Sequence, residues 1–389
     1  MAEVIESIEA LPAALDRALL HIFVFGSAVG EAVAVALPER GWILVDGCSL
    51  KIEDEDRFPA LEAFEEMRAG DEDPLELLVW THPHADHYVG IRECVENLKP
   101  RRVGMTLIEA PAPGSTALEL AALGTHPTLP ADLRVQDVFK MLRSTLNRVF
   151  LYWLEQPSSR LLLTAETEAL HLGRTVVRTF SPNQKALRSF YGLPRDDLRV
   201  ALKERANEYS IVLGLEYGKS RVVLGGDLPH RRNGAILPHA WDQVSKTFPE
   251  LSNHDVFKVS HHGSAEAFPP AFARRPERRE WIVAPFAKSR LPRPDDDETG
   301  GLRESLRRVD HVRLTSSVGL VTPTSPGARV ARSVLRASLD AVKAGKFSKG
   351  LRPPKAENIF DFAWGIALDD SNSVRRLFAG KQALTVFEG

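Results

Sequence analysis

The chain is poor in cysteine: its 389 residues include two, Cys48 and Cys94. Two thiols cannot build a disulfide framework, and free thiols suit a reducing compartment. No apolar run approaches the roughly 20 residues that span a bilayer. The first twenty residues mix Glu3, Glu6, Glu9 and Asp16 into their apolar positions, unlike a signal peptide, so a cytoplasmic location is expected. Charge of one sign is also missing. With 50 Lys and Arg against 52 Asp and Glu the net charge is −2, and no global field draws the chain to nucleic acid or membrane. No repeat or long low-complexity tract is present, which excludes a solenoid. What remains, 43% hydrophobic and 26% charged residues, is ordinary globular composition over a length that can bury a large core.

Short β-branched runs alternate with turns and helical stretches. His21–Phe25, Ala32–Leu37 and Trp42–Val45 read as an antiparallel meander, and Leu75–Trp80 as a strand followed by a helix over Val89–Leu98. Phe58–Arg68 reads as a helix and Arg102–Thr106 as a strand. Residues 110–170 change character: an Ala/Pro/Gly/Thr-rich loop precedes Ala131–Glu155, where Val135, Val138, Phe139, Leu142, Leu146, Val149 and Phe150 recur at helical spacing. This segment is expected to be an insertion or lid. Strand character returns at Thr175–Phe180, Ser210–Tyr217, Arg221–Leu224, Val256–Val259, Trp281–Ala284, His311–Thr315 and Leu320–Val321. A helical pattern over Val334–Lys343 and a basic link containing Lys346, Lys349, Arg352 and Lys355 suggest a C-terminal appendage over 326–389, after a domain spanning 15–325. The acidic groups at 53–56, 71–73 and 295–298 read as solvated loops.

The densest signal is His82-Pro83-His84-Ala85-Asp86-His87, three imidazoles and a carboxylate directly after an apolar strand. Imidazole nitrogen and carboxylate oxygen are ligands for Zn²⁺ and similar ions, and Pro83 disfavours a regular helix across the cluster. The spacing differs from the paired histidines one turn apart in helical zinc proteases. Three further strands end in metal-competent groups: Asp46-Gly47 after Val45, Asp227 after Gly225-Gly226, and His261-His262-Gly263 after Val259-Ser260. Together they fit loops converging on a metal centre.

The histidine motif, with Asp46, Asp227 and His261/His262 following in order, resembles the signature of the metallo-β-lactamase superfamily over about residues 23–321. Segments 26–32, 43–47, 207–213 and 257–264 are similar to the β-lactamase-like domain of bacterial DNA-uptake competence proteins. The resemblance implies an α+β fold, an αββα sandwich, with His82 and His84 binding a first metal, Asp86 and His87 a second, and Asp227 bridging. His262 is favoured to complete the second site and His261 to contact substrate or donate a proton, although the two could exchange roles. Asp46 would orient a ligand histidine. One or two Zn²⁺ ions are implied, with Mn²⁺ an alternative. Asp86, His261 and Lys258 would take catalytic roles, Asp86 or Asp227 holding hydroxide and His261 or Lys258 assisting the leaving oxygen.

The sequence departs from that pattern at Ser181, where the family usually supplies a third histidine. The first site could be completed by water or Asn183, or stay empty; His126 and His171 are weaker substitutes. The resemblance implies a nuclease or phosphodiesterase. A hydrolase of small esters, lactones, thioesters or amides, or a metal-poor scaffold, remains an alternative. Nucleic acid or another phosphodiester is the expected substrate and no membrane partner is expected. A protein partner could dock on 110–170 or on the C-terminal appendage. Arg274, Arg275, Arg278 and Arg279 read as a solvated surface.

Overall fold

A computed structural model describes residues 5–7, 15–26, 30–68, 70, 73–106, 133–191, 193, 195–269, 272, 279–286, 292, 301–316, 324–343 and 355–387. Among them, two nine-stranded sheets dominate. The first runs, in spatial order, Ile5–Ser7, Val374–Ala379, Ala363–Leu368, Leu20–Phe25, Ala32–Ala36, Trp42–Val45, Leu75–Trp80, Val103–Met105 and Arg160–Leu162. The second runs Leu170–Leu172, Thr175–Ser181, Val212–Tyr217, Ser220–Leu224, Val256–Lys258, Glu280–Val283, His311–Leu314, Leu384–Phe387 and Ala328–Ala331.

Alternating side chains explain the layering. Ile22, Val24, Val33, Val35, Ile43, Val45, Leu77 and Val79 meet Leu213, Leu215, Val222, Leu224, Val256 and Ile282 between the sheets. The opposite faces are also buried. Phe23, Phe25, Trp42, Leu44 and Trp80 pack against the helices Pro59–Met67, Ile91–Leu98 and Leu133–Glu155, while Phe257, Val259, Trp281 and Val283 pack against Trp241–Thr247 and Gly301–Leu306. Strands covered on both faces need apolar residues at successive positions, so they appear in the sequence as continuous runs. The result is an αββα sandwich.

Two expectations change. Residues 363–387 are no appendage: Ala363–Leu368 pairs antiparallel with Leu20–Phe25 in the first sheet, and Leu384–Phe387 pairs antiparallel with His311–Leu314 in the second. Trp364 is fully buried, and its indole nitrogen donates to Leu314 O at 2.8 Å. The C-terminal strands therefore tie the sheets together, and the boundary at 325 cuts through the core. Asp73 is also not a solvated loop residue. It is buried and accepts from the Trp42 indole at 2.8 Å, whereas Glu53–Asp56 is exposed as expected.

The helical part of 110–170, Leu133–Glu155, lies in the helical layer. Leu146, Val149 and Trp153 are buried in the core, and the Tyr152 hydroxyl donates to Pro100 O at 2.7 Å. Residues 107–132, with His126, lie outside the described residues, as do 71–72, 295–298, 320–321, the three arginines 274, 275 and 278, and the basic link positions 346, 349 and 352. Arg279 is buried and donates to Ser252 O at 2.6 Å. Among the described residues no helix is long and apolar enough to cross a membrane.

Candidate metal centre

The C-terminal ends of four strands lead into the candidate loops. Trp42–Val45 carries Asp46, Leu75–Trp80 carries residues 81–87, Ser220–Leu224 carries Asp227, and Val256–Lys258 carries His261 and His262. Asp46 adopts a left-handed backbone, φ 58°, which lets its carboxylate turn back on the neighbouring loop. It accepts from Thr81 N at 2.7 Å, Thr81 Oγ1 at 2.6 Å and His87 Nδ1 at 2.7 Å. Burial raises its pKa against the lowering effect of His87 and Thr81. One carboxylate thus shapes the start and the end of the histidine loop.

The hydrogen bonds define which nitrogen each imidazole presents. His87 uses Nδ1 on Asp46, and His262 uses Nδ1 on Ala284 O at 3.0 Å. His82 turns Nδ1 to Thr81 Oγ1 at 3.0 Å and Ser210 Oγ at 3.3 Å. All three therefore leave Nε2 facing inward, the arrangement that prepares an imidazole lone pair for a cation. Asp227 Oδ2 is their common neighbour, 3.3 Å from His87 Nε2 and 3.8 Å from both His82 Nε2 and His262 Nε2. Asp86 Oδ2 lies 3.2 Å from His262 Nε2 and 3.9 Å from His87 Nε2.

Asp86, His87, Asp227 and His262 offer ligand atoms within 4.8 Å of one another. Among the described residues, His82 Nε2, His87 Nε2 and Asp227 Oδ1 are buried with no hydrogen-bond partner. Such orphaned groups are costly unless something pairs with them. Three buried carboxylates, Glu31, Asp46 and Asp227, and the partly exposed Asp86 surround these imidazoles, and the Lys258 ammonium is bonded to Glu31 alone among them. A divalent cation fits both the donor set and the charge deficit. Without one the imidazoles carry the load: burial would lower His262, but Asp227, Glu31 and Asp86 raise it to about 10, and Asp227 and Asp46 likewise raise His87.

The His82/His84 side is built differently. Neither residue belongs to the four-ligand grouping, and His84 Nε2 faces Leu202 O at 3.3 Å. Burial lowers the pKa of both. Ser181 ends the strand Thr175–Ser181, its Oγ buried without a partner among the described residues. It lines a cavity of about 140 Å³ with Phe180, Asn183, His239 and Gln243. Asn183 does not complete a metal site here, because its amide donates to Gln243 Oε1 at 2.8 Å and its oxygen caps Ala186 N at 2.7 Å. His171 is exposed in the outermost strand of the second sheet.

Lys258 is not the catalytic group that the sequence suggests. It is 1% exposed, and its ammonium is bonded to the Glu31 carboxylate and to Gly226 O at 3.1 Å. It has no route to a leaving group; it neutralises Glu31, whose Oε2 lies 3.3 Å from His262 Nδ1. His261 and His262 both have left-handed backbones, φ 47° and 52°, and His261 Nδ1 is buried without a partner among the described residues. Burial lowers the His261 pKa.

Glu31, Thr81, Asn207 and Ser210 join the site without a ligand motif to mark them. Asn207 Nδ2 donates to Asp227 Oδ2 at 3.3 Å, and Ser210 Oγ accepts from Asp227 N at 3.0 Å. The local signal is an acid opening a fully apolar strand, Glu31 before Ala32–Ala36, and a polar Asn-Glu-Tyr-Ser run shortly before the strand Val212–Tyr217.

No family model matches this sequence, and no curated protein matches it. Solved structures do. An archaeal metallo-β-lactamase superfamily protein from Sulfolobus tokodaii shares 15% identity over 62% of this chain and 79% of its own, with a TM-score of 0.31. A putative metallo-β-lactamase from Thermotoga maritima shares 16% identity over 60% of this chain and 84% of its own, also at 0.31. The hydrolase AbOPH of the β-lactamase superfamily shares 13% identity at a TM-score of 0.29; the match covers 51% of this chain and little more than half, 56%, of that one.

Proposed function

We propose that this protein is a metal-dependent hydrolase of phosphodiesters, acting as a nuclease or phosphodiesterase, with one strongly held cation at Asp86, His87, Asp227 and His262. The observation that carries the proposal is the convergence of those four ligand atoms within 4.8 Å beside orphaned imidazole nitrogens. Two nitrogen and two oxygen donors suit Zn²⁺ and also accommodate Mn²⁺. When bound, such an ion lowers the pKa of water towards neutrality and neutralises charge developing on the attacked group. Asp86, partly exposed and held below the usual carboxylate range by His262 and His87 despite burial, stays ionised and can accept a hydrogen bond from the attacking water at the mouth of the site. His261 can hydrogen-bond a substrate oxygen. The phosphodiester preference is supported by the resemblance of segments 26–32, 43–47, 207–213 and 257–264 to DNA-uptake competence proteins.

The test combines metal counting with hydrolysis of bis(p-nitrophenyl) phosphate and of labelled single- and double-stranded DNA and RNA, in Zn²⁺ or Mn²⁺. The wild type should hold about one ion per chain, and Asp227→Ala should lose that ion and about a hundredfold or more of the activity. Turnover of p-nitrophenyl acetate with no phosphodiester cleavage would move the assignment to carboxylic esters. Equal metal content and no hydrolysis in wild type and variant would remove the enzyme reading.

A further inference from the structure

Beside the centre, Glu208 gathers three basic side chains. Its Oε2 accepts from Arg205 Nε at 3.2 Å, Arg205 Nη2 at 3.0 Å and His239 Nε2 at 2.9 Å; its Oε1 accepts from Arg232 Nη1 at 2.9 Å. Arg205 Nη2 also donates to the Tyr209 hydroxyl at 3.2 Å, and Tyr209 stacks on His239 with ring centroids 5.4 Å apart. The Glu208 side chain is 3% exposed, whereas those of Arg205 and Arg232 are 35% and 41% exposed. A buried carboxylate needs one cation. This one has two guanidiniums, so the cluster keeps a surplus positive charge on its solvent side.

Its position gives that surplus a use. Arg205 closes the helix Arg195–Arg205, whose Leu202 carbonyl meets His84, and Glu208 lies between Asn207, which holds Asp227, and Ser210, which holds His82. Arg232 stands five residues after Asp227, in the hairpin formed by Arg231–Arg232 and Ala235–Ile236. The shared carboxylate holds two long side chains that would otherwise sample many rotamers. Among the described residues Arg232 uses one of its nitrogens, Nη1, on Glu208, while its planar fork can bind two oxygens at once.

We propose that Arg205 and Arg232, clamped by Glu208, form a phosphoryl-binding subsite beside the metal centre, engaging the non-bridging oxygens of a phosphate group in the substrate. The consequence for catalysis rests on the phosphodiester reading above; the binding itself does not. These are binding residues, with Glu208 as their positioning residue.

The experiment titrates inorganic phosphate into the full-length protein by calorimetry, for wild type, Arg232→Ala and Arg232→Lys, with melting temperature and metal content recorded for each. Arg232→Ala should weaken phosphate binding about tenfold at unchanged metal content, and Arg232→Lys should restore only part of it, because an ammonium lacks the fork. With a phosphodiester substrate the KM of Arg232→Ala should rise by a similar factor while kcat stays within about twofold. Wild-type phosphate affinity in Arg232→Ala, with or without a lowered melting temperature, overturns the subsite, and so does a wild type that binds no phosphate. Arg232-dependent phosphate binding without phosphodiester cleavage would leave the subsite standing and remove the hydrolytic reading. Cleavage with an unchanged KM in Arg232→Ala would do the reverse.

Discussion

At the scale of single residues, the centre depends on charges that are buried only because they are paired. Glu31 and Lys258 are both almost fully inaccessible and bonded to each other. Replacing Lys258 by Met leaves a carboxylate without its cation, which should cost about 3–5 kcal/mol in a denaturant titration. Adding Glu31→Gln should recover a large part of that loss; a double variant no better than the single one would show that the pair is not coupled. His254 supplies a pH signature away from the metal ligands. Its Nδ1 donates to Leu251 O at 2.8 Å and its Nε2 accepts from the Trp281 indole at 3.1 Å, so both nitrogens are committed to the neutral ring. Burial pushes its pKa from 6.5 to about 3. Above 6.5 the ring is neutral in both folded and unfolded states and adds no slope. Between 6.5 and about 3 only the unfolded chain takes up the proton, so stability falls as pH falls, by up to about 1.4 kcal/mol per unit. His254→Gln should show a shallower decline than wild type between pH 7 and 5, measured by urea unfolding; parallel curves would contradict this.

At the scale of elements, the histidine loop, the strands feeding it and the long helix Leu133–Glu155 were legible because each carries a local signal: an apolar run, a cluster of ligands, or helical periodicity. The strands Ala363–Leu368 and Leu384–Phe387 were not. Their role comes from pairing with chain about 340 and 70 residues earlier, and no local pattern specifies a partner so distant. Deleting residues 356–389 should therefore abolish cooperative folding, visible as a lost thermal transition. A truncated chain that still melts cooperatively would restore the appendage. The helix within 110–170 is likewise tied to distant parts of the chain. Its inner face is core, so Leu146→Ala, which empties a fully buried position, should cost about 2–5 kcal/mol. A cost near zero would make the helix a detachable cover.

At the scale of the whole molecule, the facing sheets bring the four loops together, and the negative charge they concentrate would make a bound cation part of the stability. A ligand at about a hundred times its dissociation constant adds about 2.7 kcal/mol. Zn²⁺ or Mn²⁺ should raise the melting temperature of chelator-treated wild type by several degrees and leave Asp227→Ala nearly unmoved. The gain should shrink as pH falls, because protons compete for the histidine nitrogens. An equal response from wild type and variant would place the cation elsewhere.

The sequence by itself determined the sheet-and-helix class and the order in which metal-competent groups follow strands, since each is written in residues that are neighbours along the chain. Only the tertiary structure decided how those groups are used. It turned Lys258 from a proton donor into the counter-cation of Glu31, tied Asn183 to a helix end, and gathered Arg205, Arg232 and His239 on one carboxylate. Burial and charge pairing depend on which distant segments meet, and spacing along the chain carries no record of that.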